Sequence, residues 1–355
     1  MTNEDEFRAL EDGNCDKAVP KVQPRLQAPV TRVAHVIGRL ATDDQRTDYL
    51  RILVSSLKEQ GIESAIFTAE CSVEADFEQR AGQIAKTLHE SGIPIAFFHA
   101  GLKDEITARV ASMRPTLIQV LVGHESETEA DLFDGRIHLF EKAPQDTRFA
   151  GLVKWIPPVS TIQVRLKQSE PITSQSIGLE SAGSVSATFG DLHHVSSREF
   201  LSVLCEILKR FPKHFHLFAG AGNVRAIRPH LHNEGVLPRV RFLGQVGDVS
   251  PLLQVIDLYL VSFPGSDPHS VLEPMGAGKP VVVLRCPESP YTAELMGIGE
   301  LTARSPADFI NIADRLLRNP EYRAQQRQAV LHRFDAEFRP ERLGERYKAF
   351  LSCFQ

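Results

Sequence analysis

Residues 262–284, SFPGSDPHSVLEPMGAGKPVVVL, carry the types and spacing that point most directly to chemistry. An apolar run leads into a loop at Gly265, and Asp267-Pro268 supplies a helix N-cap followed by a proline suited to the first helical position. The amides of His269, Ser270 and Val271 would then stand unbonded at a helix start. Free amides together with the helix dipole make a phosphate site without a dedicated cation. Glu273 lies one turn further in, where its carboxylate could accept hydrogen bonds from a ribose diol. The plainer structural reading makes Asp267 a cap and Glu273 a solvated first-turn acid.

Other chemistries leave no comparable trace. No D-x-D occurs, so the metal–diphosphate device has no sequence sign, and His193-His194 and His230/His232 lack accompanying Cys or carboxylate spacing. No metal site and no cofactor are expected. The hydrolase elbow G-x-S-x-G is absent. GAGNVR (220–225) is a weak dinucleotide fingerprint, because Arg225 stands where a third glycine should allow helix–strand packing.

The elements that must position these residues alternate. Apolar runs at 32–37, 62–68, 93–99 and 117–122 read as strands. Between them run helical patterns, first over 43–60, with Tyr49, Leu50, Leu53, Ser56 and Leu57 on one face, and then from Phe77, with Ala81, Ile84, Ala85 and Leu88. A second set follows, with strands at 184–190, 214–220, 239–244, 257–263 and 279–284 and a helix near 197–211. Ser305-Pro306 with Asp308 opens another helix, whose stripe is Phe309, Ile312, Ala313, Leu316 and Leu317. Alternation of this kind predicts α/β architecture with parallel sheets. The expected organisation is an acidic flexible tail at 1–28, an N-terminal Rossmann-like domain at 29–164, and a Ser/Thr/Gln/Gly-rich linker at 165–183. A C-terminal Rossmann-like domain at 184–338 follows, then a terminal helix at 339–355 that can pack back on the N-terminal domain.

The chain has 355 residues and a net charge of −5. Residues 1–16 hold six acids and the single base Arg8, so the imbalance sits in the tail and the remainder is neutral. A neutral body argues against nucleic acid or an anionic membrane as partner. No apolar run approaches the roughly 18 residues of a membrane span. The five cysteines are scattered, with no C-x-x-C pair, as expected of reduced thiols in a cytoplasmic protein.

Taken in order, HLFAGAG, RVRFLGQV and IDLYLVSFPGSDPHSVLEPMGAGKPVVVL resemble the nucleotide-binding half of GT-B glycosyltransferases, closest to the retaining glycosyl transferases group 1 family. The likeness extends through ADFINIADRLLRNPEYRAQQRQAVLHRF and covers 184–355. ATFGDLHHVSSREFLSVLCEILKRFP and IQVLVGHESET are in addition similar to O-linked N-acetylglucosamine transferases and their protein-modifying relatives. The resemblance implies a GT-B fold, two Rossmann-like parallel-sheet domains facing a central cleft. It implies that Glu273 is the ribose-binding second acid of E-x7-E, that Phe242, Leu243 and Gly244 meet the base, and that Gly220 and Gly222 line the cleft. A histidine near the transferred sugar is implied too, and of the two strand-end histidines His124 is preferred to His99. Two positions depart from the pattern. Gly265 stands where the first acid of E-x7-E belongs, and no Lys follows the first strand of the second set, leaving Arg198 as the substitute for a pyrophosphate partner.

The function so implied is transfer of a sugar, with retention, from a nucleotide diphosphate-sugar to a glycan, lipid, small-molecule or protein acceptor. The departures keep a catalytically degenerate binding protein as an alternative, and a nucleotide-sugar epimerase can share the fold.

Overall fold

The structure is a computed structural model that describes residues 25–40, 45–68, 76–99, 105–123, 132–140, 149, 151–170, 172–173, 175–265, 268–288 and 290–355. It divides into two units. The first comprises the described residues up to Ile156 together with Pro340–Gln355, and the second is Pro157–Arg339.

In the first unit, β1 (Arg32–Ile37), β2 (Glu63–Thr68), β3 (Ile95–His99), β4 (Ile118–Val122), β5 (Gly135–His138) and β6 (Leu152–Trp155) form one sheet in the order β2-β1-β3-β4-β5-β6. Every pairing is parallel. β1 to β4 occupy the expected apolar runs. β5 (GRIH) and β6 (LVKW) were not expected, because they are short and carry charged residues where a buried strand should be apolar. Arg136 is nonetheless buried in β5, with its guanidinium 4.7 Å from the Phe149 ring centroid.

Helix Gln45–Glu59 buries the predicted face of Tyr49, Leu50, Leu53, Ser56 and Leu57. The terminal helix Pro340–Ser352 packs against it. Ser56 Oγ donates to the Pro340 carbonyl at 2.9 Å, and the Tyr49 and Tyr347 hydroxyls are 3.1 Å apart. Gly344 permits the approach, since a Cβ there would lie 2.3 Å from the Ser56 carbonyl oxygen. Leu26, inside the segment read as tail, donates its amide to the Phe354 carbonyl.

In the second unit, β7 (Ser184–Phe189), β8 (His214–Ala219), β9 (Val240–Phe242), β10 (Leu258–Leu260), β11 (Val281–Leu284) and β12 (Thr302–Ala303) form a parallel sheet in the order β12-β11-β10-β7-β8-β9. Helix Arg198–Arg210 buries Phe200, Leu201, Leu204 and Leu208 along one face. Ser305 caps helix Pro306–Arg318 as expected, accepting the Asp308 amide at 3.1 Å, and Phe309, Ala313 and Leu316 are buried. The stretch read as a linker contains structure of its own. Helix Ile162–Gln168 belongs to the second unit, and the chain passes between units at Ile156-Pro157 and again at Arg339-Pro340.

Candidate functional site

Each sheet reverses its winding once. In the first it does so between β1 and β3, and in the second between β7 and β10. Loops leaving the carboxyl ends of the two strands at such a point diverge to opposite faces and open a crevice, the usual ligand position in open parallel sheets. In the second unit those loops are 190–197 and 261–271. Side chains brace the reversal. The Tyr259 hydroxyl accepts the Phe189 amide at 2.9 Å and donates to the Phe189 carbonyl at 3.1 Å, while Thr188 Oγ1 donates to the Leu260 carbonyl at 2.6 Å.

The strand ends β7, β8 and β9 are sewn together through glycines. Gly190 donates to the Ala219 carbonyl (3.0 Å), Gly220 to the Gly244 carbonyl (2.7 Å), and Leu192 to the Ala221 carbonyl (2.8 Å). Gly220 has φ +150°, and a Cβ on it would sit 1.7 Å from the Gly190 carbonyl oxygen; on Gly222 it would lie 2.8 Å from Leu192 Cβ. These are the two glycines for which the resemblance implies a place lining the cleft. Their requirement is the close approach of three backbones at the carboxyl edge.

Phe242 ends β9 with its ring stacked on Phe218 (5.3 Å between centroids, 26° between planes) and the Arg228 guanidinium 4.8 Å from its centroid. The Leu243 amide is spent on the Phe218 carbonyl. Gly244 and Gln245, which follow, are exposed.

After β10 the chain runs through Ser262 and Gly265 and re-enters helical structure at Pro268, as the sequence suggests, first as a 3-10 turn (Pro268–Val271) and then as helix Leu272–Gly276. Val271 is fully buried. Ser270 is half-buried, and its Oγ has no hydrogen-bond partner among the described residues. Asp267 and His124 lie outside the described residues, as does the side chain of His269. Arg198, the first residue of its helix after the Ser197 cap, is exposed.

Glu273 is neither a free first-turn acid nor a simple cap. Its Oε1 is ion-paired with Arg165 Nη2, and the other terminal nitrogen of Arg165 reaches Asp248 Oδ1 at 2.7 Å. Asp248 Oδ1 accepts in addition the Ser250 amide (3.0 Å) and hydroxyl (2.7 Å). Half-burial works to lower the Arg165 pKa, but the carboxylates of Glu273 and Asp248 outweigh it and raise it above the ordinary guanidinium value. Burial works to raise the Asp248 pKa, yet the Ser250 bonds and Arg165 bring it below the usual carboxylate range. Arg165 was missed in the sequence, since nothing local connects residue 165 to residue 273.

In the first unit His99 does end β3, but it is buried, with its Nε2 3.0 Å from His35 Nδ1; His35 Nε2 lies 3.2 Å from Ser64 Oγ. Burial pushes the His99 pKa down to about 3. Among the described residues no group of three or more His, Cys, Asp or Glu is placed to hold a metal ion, and no helix is long and apolar enough to cross a membrane.

Residues 185–319 match the glycosyl transferases group 1 family. No curated protein matches the chain. Among solved structures, a mutant O-GlcNAc transferase from Thermobaculum terrenum aligns with TM-score 0.67 at 16% identity, over 94% of this chain and 70% of that one. Anabaena Alr3699/HepE in complex with UDP aligns with TM-score 0.69 at 16% identity, over 90% and 99%. The same protein in complex with UDP-glucose aligns with TM-score 0.64 at 17% identity, over 90% and 99%. Two six-stranded parallel sheets with this strand order and these structural neighbours establish the GT-B fold, and within it residues 185–319 are similar to the glycosyl transferases group 1 family.

Proposed function

We propose that the protein is a cytoplasmic glycosyltransferase that takes a sugar from a nucleotide diphosphate-sugar and passes it, with retention, to a carbohydrate, lipid-linked, small-molecule or protein acceptor. The observation that carries the reading is the crevice between β7 and β10. A part-exposed carboxylate (Glu273), an unpartnered Ser270 hydroxyl and a helical turn starting at Pro268 all lie on the chain leaving β10 there. A hydroxyl kept out of water without a partner costs about 1–3 kcal/mol, and a polar ligand atom would relieve that cost. The family match over the same segment and the UDP and UDP-glucose complexes of HepE support a nucleotide-sugar as that ligand.

In this reading Glu273 accepts hydrogen bonds from the ribose hydroxyls, and the amides of His269, Ser270 and Val271 face the diphosphate. Cleavage of the anomeric C–O bond leaves negative charge on the β-phosphate, which oriented amides stabilise without reorganising. Arg198 and Asp267 are assigned to the donor, with Gly220, Gly222 and Gly244 shaping its loops, and His124, two residues beyond β4, to the transferred sugar. No metal or cofactor is invoked, and no nucleic acid partner.

The test is thermal stability of wild type and Glu273→Ala with UDP, GDP, ADP, dTDP and their sugars. A ligand at 100 times its Kd stabilises by about 2.7 kcal/mol, or about 5–10 °C for a unit of this size. A shift with one nucleotide class that shrinks in the variant is the expected result. No shift with any nucleotide at millimolar concentration would sink the donor site. It would also favour the binding-only alternative that Gly265 motivates.

A further inference from the structure

We infer that Arg165 is a positioning residue of the donor site, holding Glu273 so that one carboxylate oxygen is fixed and the other is presented to a ribose diol; this rests on the nucleotide-sugar reading above. Arg165 Nη2 engages Glu273 Oε1, and Glu273 Oε2 has no partner among the described residues. The Glu273 side chain is one-third exposed, which leaves it open to approach by a ligand. Without its partner the Glu273 side chain would sample several rotamers, and a ligand would have to order it on binding.

The guanidinium is itself held. Asp248 takes its other nitrogen at 2.7 Å, and Asp248 is anchored by two bonds from Ser250, which is fully buried. Helix Ile162–Gln168, which carries Arg165, is pinned at three places. Gln163 Nε2 donates to Asp335 Oδ1 at 3.0 Å, and Gln254 Nε2 donates to Ser169 Oγ, just beyond the helix, at 2.8 Å. Ile162 is buried against Gly276, where a Cβ would come within 2.4 Å of the Ile162 side chain. A bidentate planar fork between two acids, on a helix locked at both ends, defines the Glu273 geometry in a way a lysine ammonium would not.

The experiment measures Kd for UDP, GDP and ADP and for their 2′,3′-dideoxy forms, on wild type, Arg165→Gln, Arg165→Lys, Asp248→Asn and Glu273→Gln. The ribose hydroxyls on a charged acceptor should make the dideoxy form of the bound nucleotide about 10–100-fold weaker in wild type. Glu273→Gln should lose most of that preference. The inference expects Arg165→Gln to reduce it to about threefold or less with dideoxy binding little changed, and Arg165→Lys to recover it in part. A merely structural role for Arg165 would weaken both nucleotides equally and leave the ratio intact. If Arg165→Gln does not fold, Asp248→Asn frees the guanidinium while leaving Arg165 and Glu273 in place, and the same fall in ratio is expected. A wild-type ratio in these variants overturns the inference alone, and so does tighter ribonucleotide binding by Arg165→Gln, which would make Arg165 a competitor for the carboxylate. Absence of nucleotide binding by wild type overturns the donor-site reading and the inference with it.

Discussion

Mild acid should destabilise both units through their buried histidines. His35 and His99 are buried in the first unit, His214 and His216 in the second. Burial lowers the pKa of all four, to about 3 for His99 and about 3 for His214, with the neighbouring histidine contributing at His35 and His216, and Arg239 at His214. The hydrogen bonds agree. The ring nitrogens of His35 and His99, 3.0 Å apart, need one donor and one acceptor, so the pair cannot be doubly protonated and keep the bond. In the second unit Ser184 and Ser186 bracket His214 at 2.8 Å each, and Ser186 reaches His216 at 2.7 Å. These groups stay neutral when folded and charge near pH 6.5 when unfolded. Their contribution is therefore complete above pH 6.5 and declines as pH falls, down to the folded pKa. At pH 5.5 each unfolded histidine gains about 1.4 kcal/mol of proton binding, so each unit should lose about 3 kcal/mol relative to pH 7.5. The window lies above the ordinary carboxylate range, which isolates the effect. Denaturant unfolding at the two pH values, on wild type, His99→Gln and His216→Gln, measures it. Each variant should lose about half the pH dependence of its own unit, whatever its stability at pH 7.5. An unchanged slope in both variants would refute the reasoning.

Two further outcomes are expected from backbone approach. Gly220→Ala should cost at least about 2 kcal/mol, since the new Cβ meets the Gly190 carbonyl and the residue needs φ +150°; unfolding midpoints should show it, and a neutral substitution would mean that the loops part freely. Gly344→Ala gains about 1 kcal/mol of helix propensity but must push the terminal helix off the Ser56 carbonyl, so a net loss of about 1–2 kcal/mol is expected in denaturant titration. Net stabilisation there would show that the helix pair relaxes without strain.

What could be read in the sequence was what is encoded locally. Alternating apolar runs and helical stripes located β1–β4, β7–β11 and the helices at 45–59, 198–210 and 306–318, because periodicity and caps such as Ser305 act over a few residues. The segment after β10 was legible for the same reason, with a strand, a loop, a proline and an acid in consecutive turns. Strands β5 and β6 escaped, since GRIH and LVKW are short and carry charged residues; they form by pairing along the sheet edge, where Arg136 of β5 meets the Phe149 ring and Lys154 of β6 stays exposed. His99 read as a ligand-facing strand end, but a partner 64 residues away turned it inward. Gly220 and Gly222 were recognisable as glycines at a turn. That a carbonyl from another strand end requires them emerged only when three chain segments met. Arg165 sits 108 residues from Glu273 in a stretch whose composition suggested a connector. Local spacing determined the elements and the position of the carboxylate. Contacts between residues distant in sequence decided what the carboxylate is tied to, because ion pairs and close backbone approaches depend on where the sheets bring their loops.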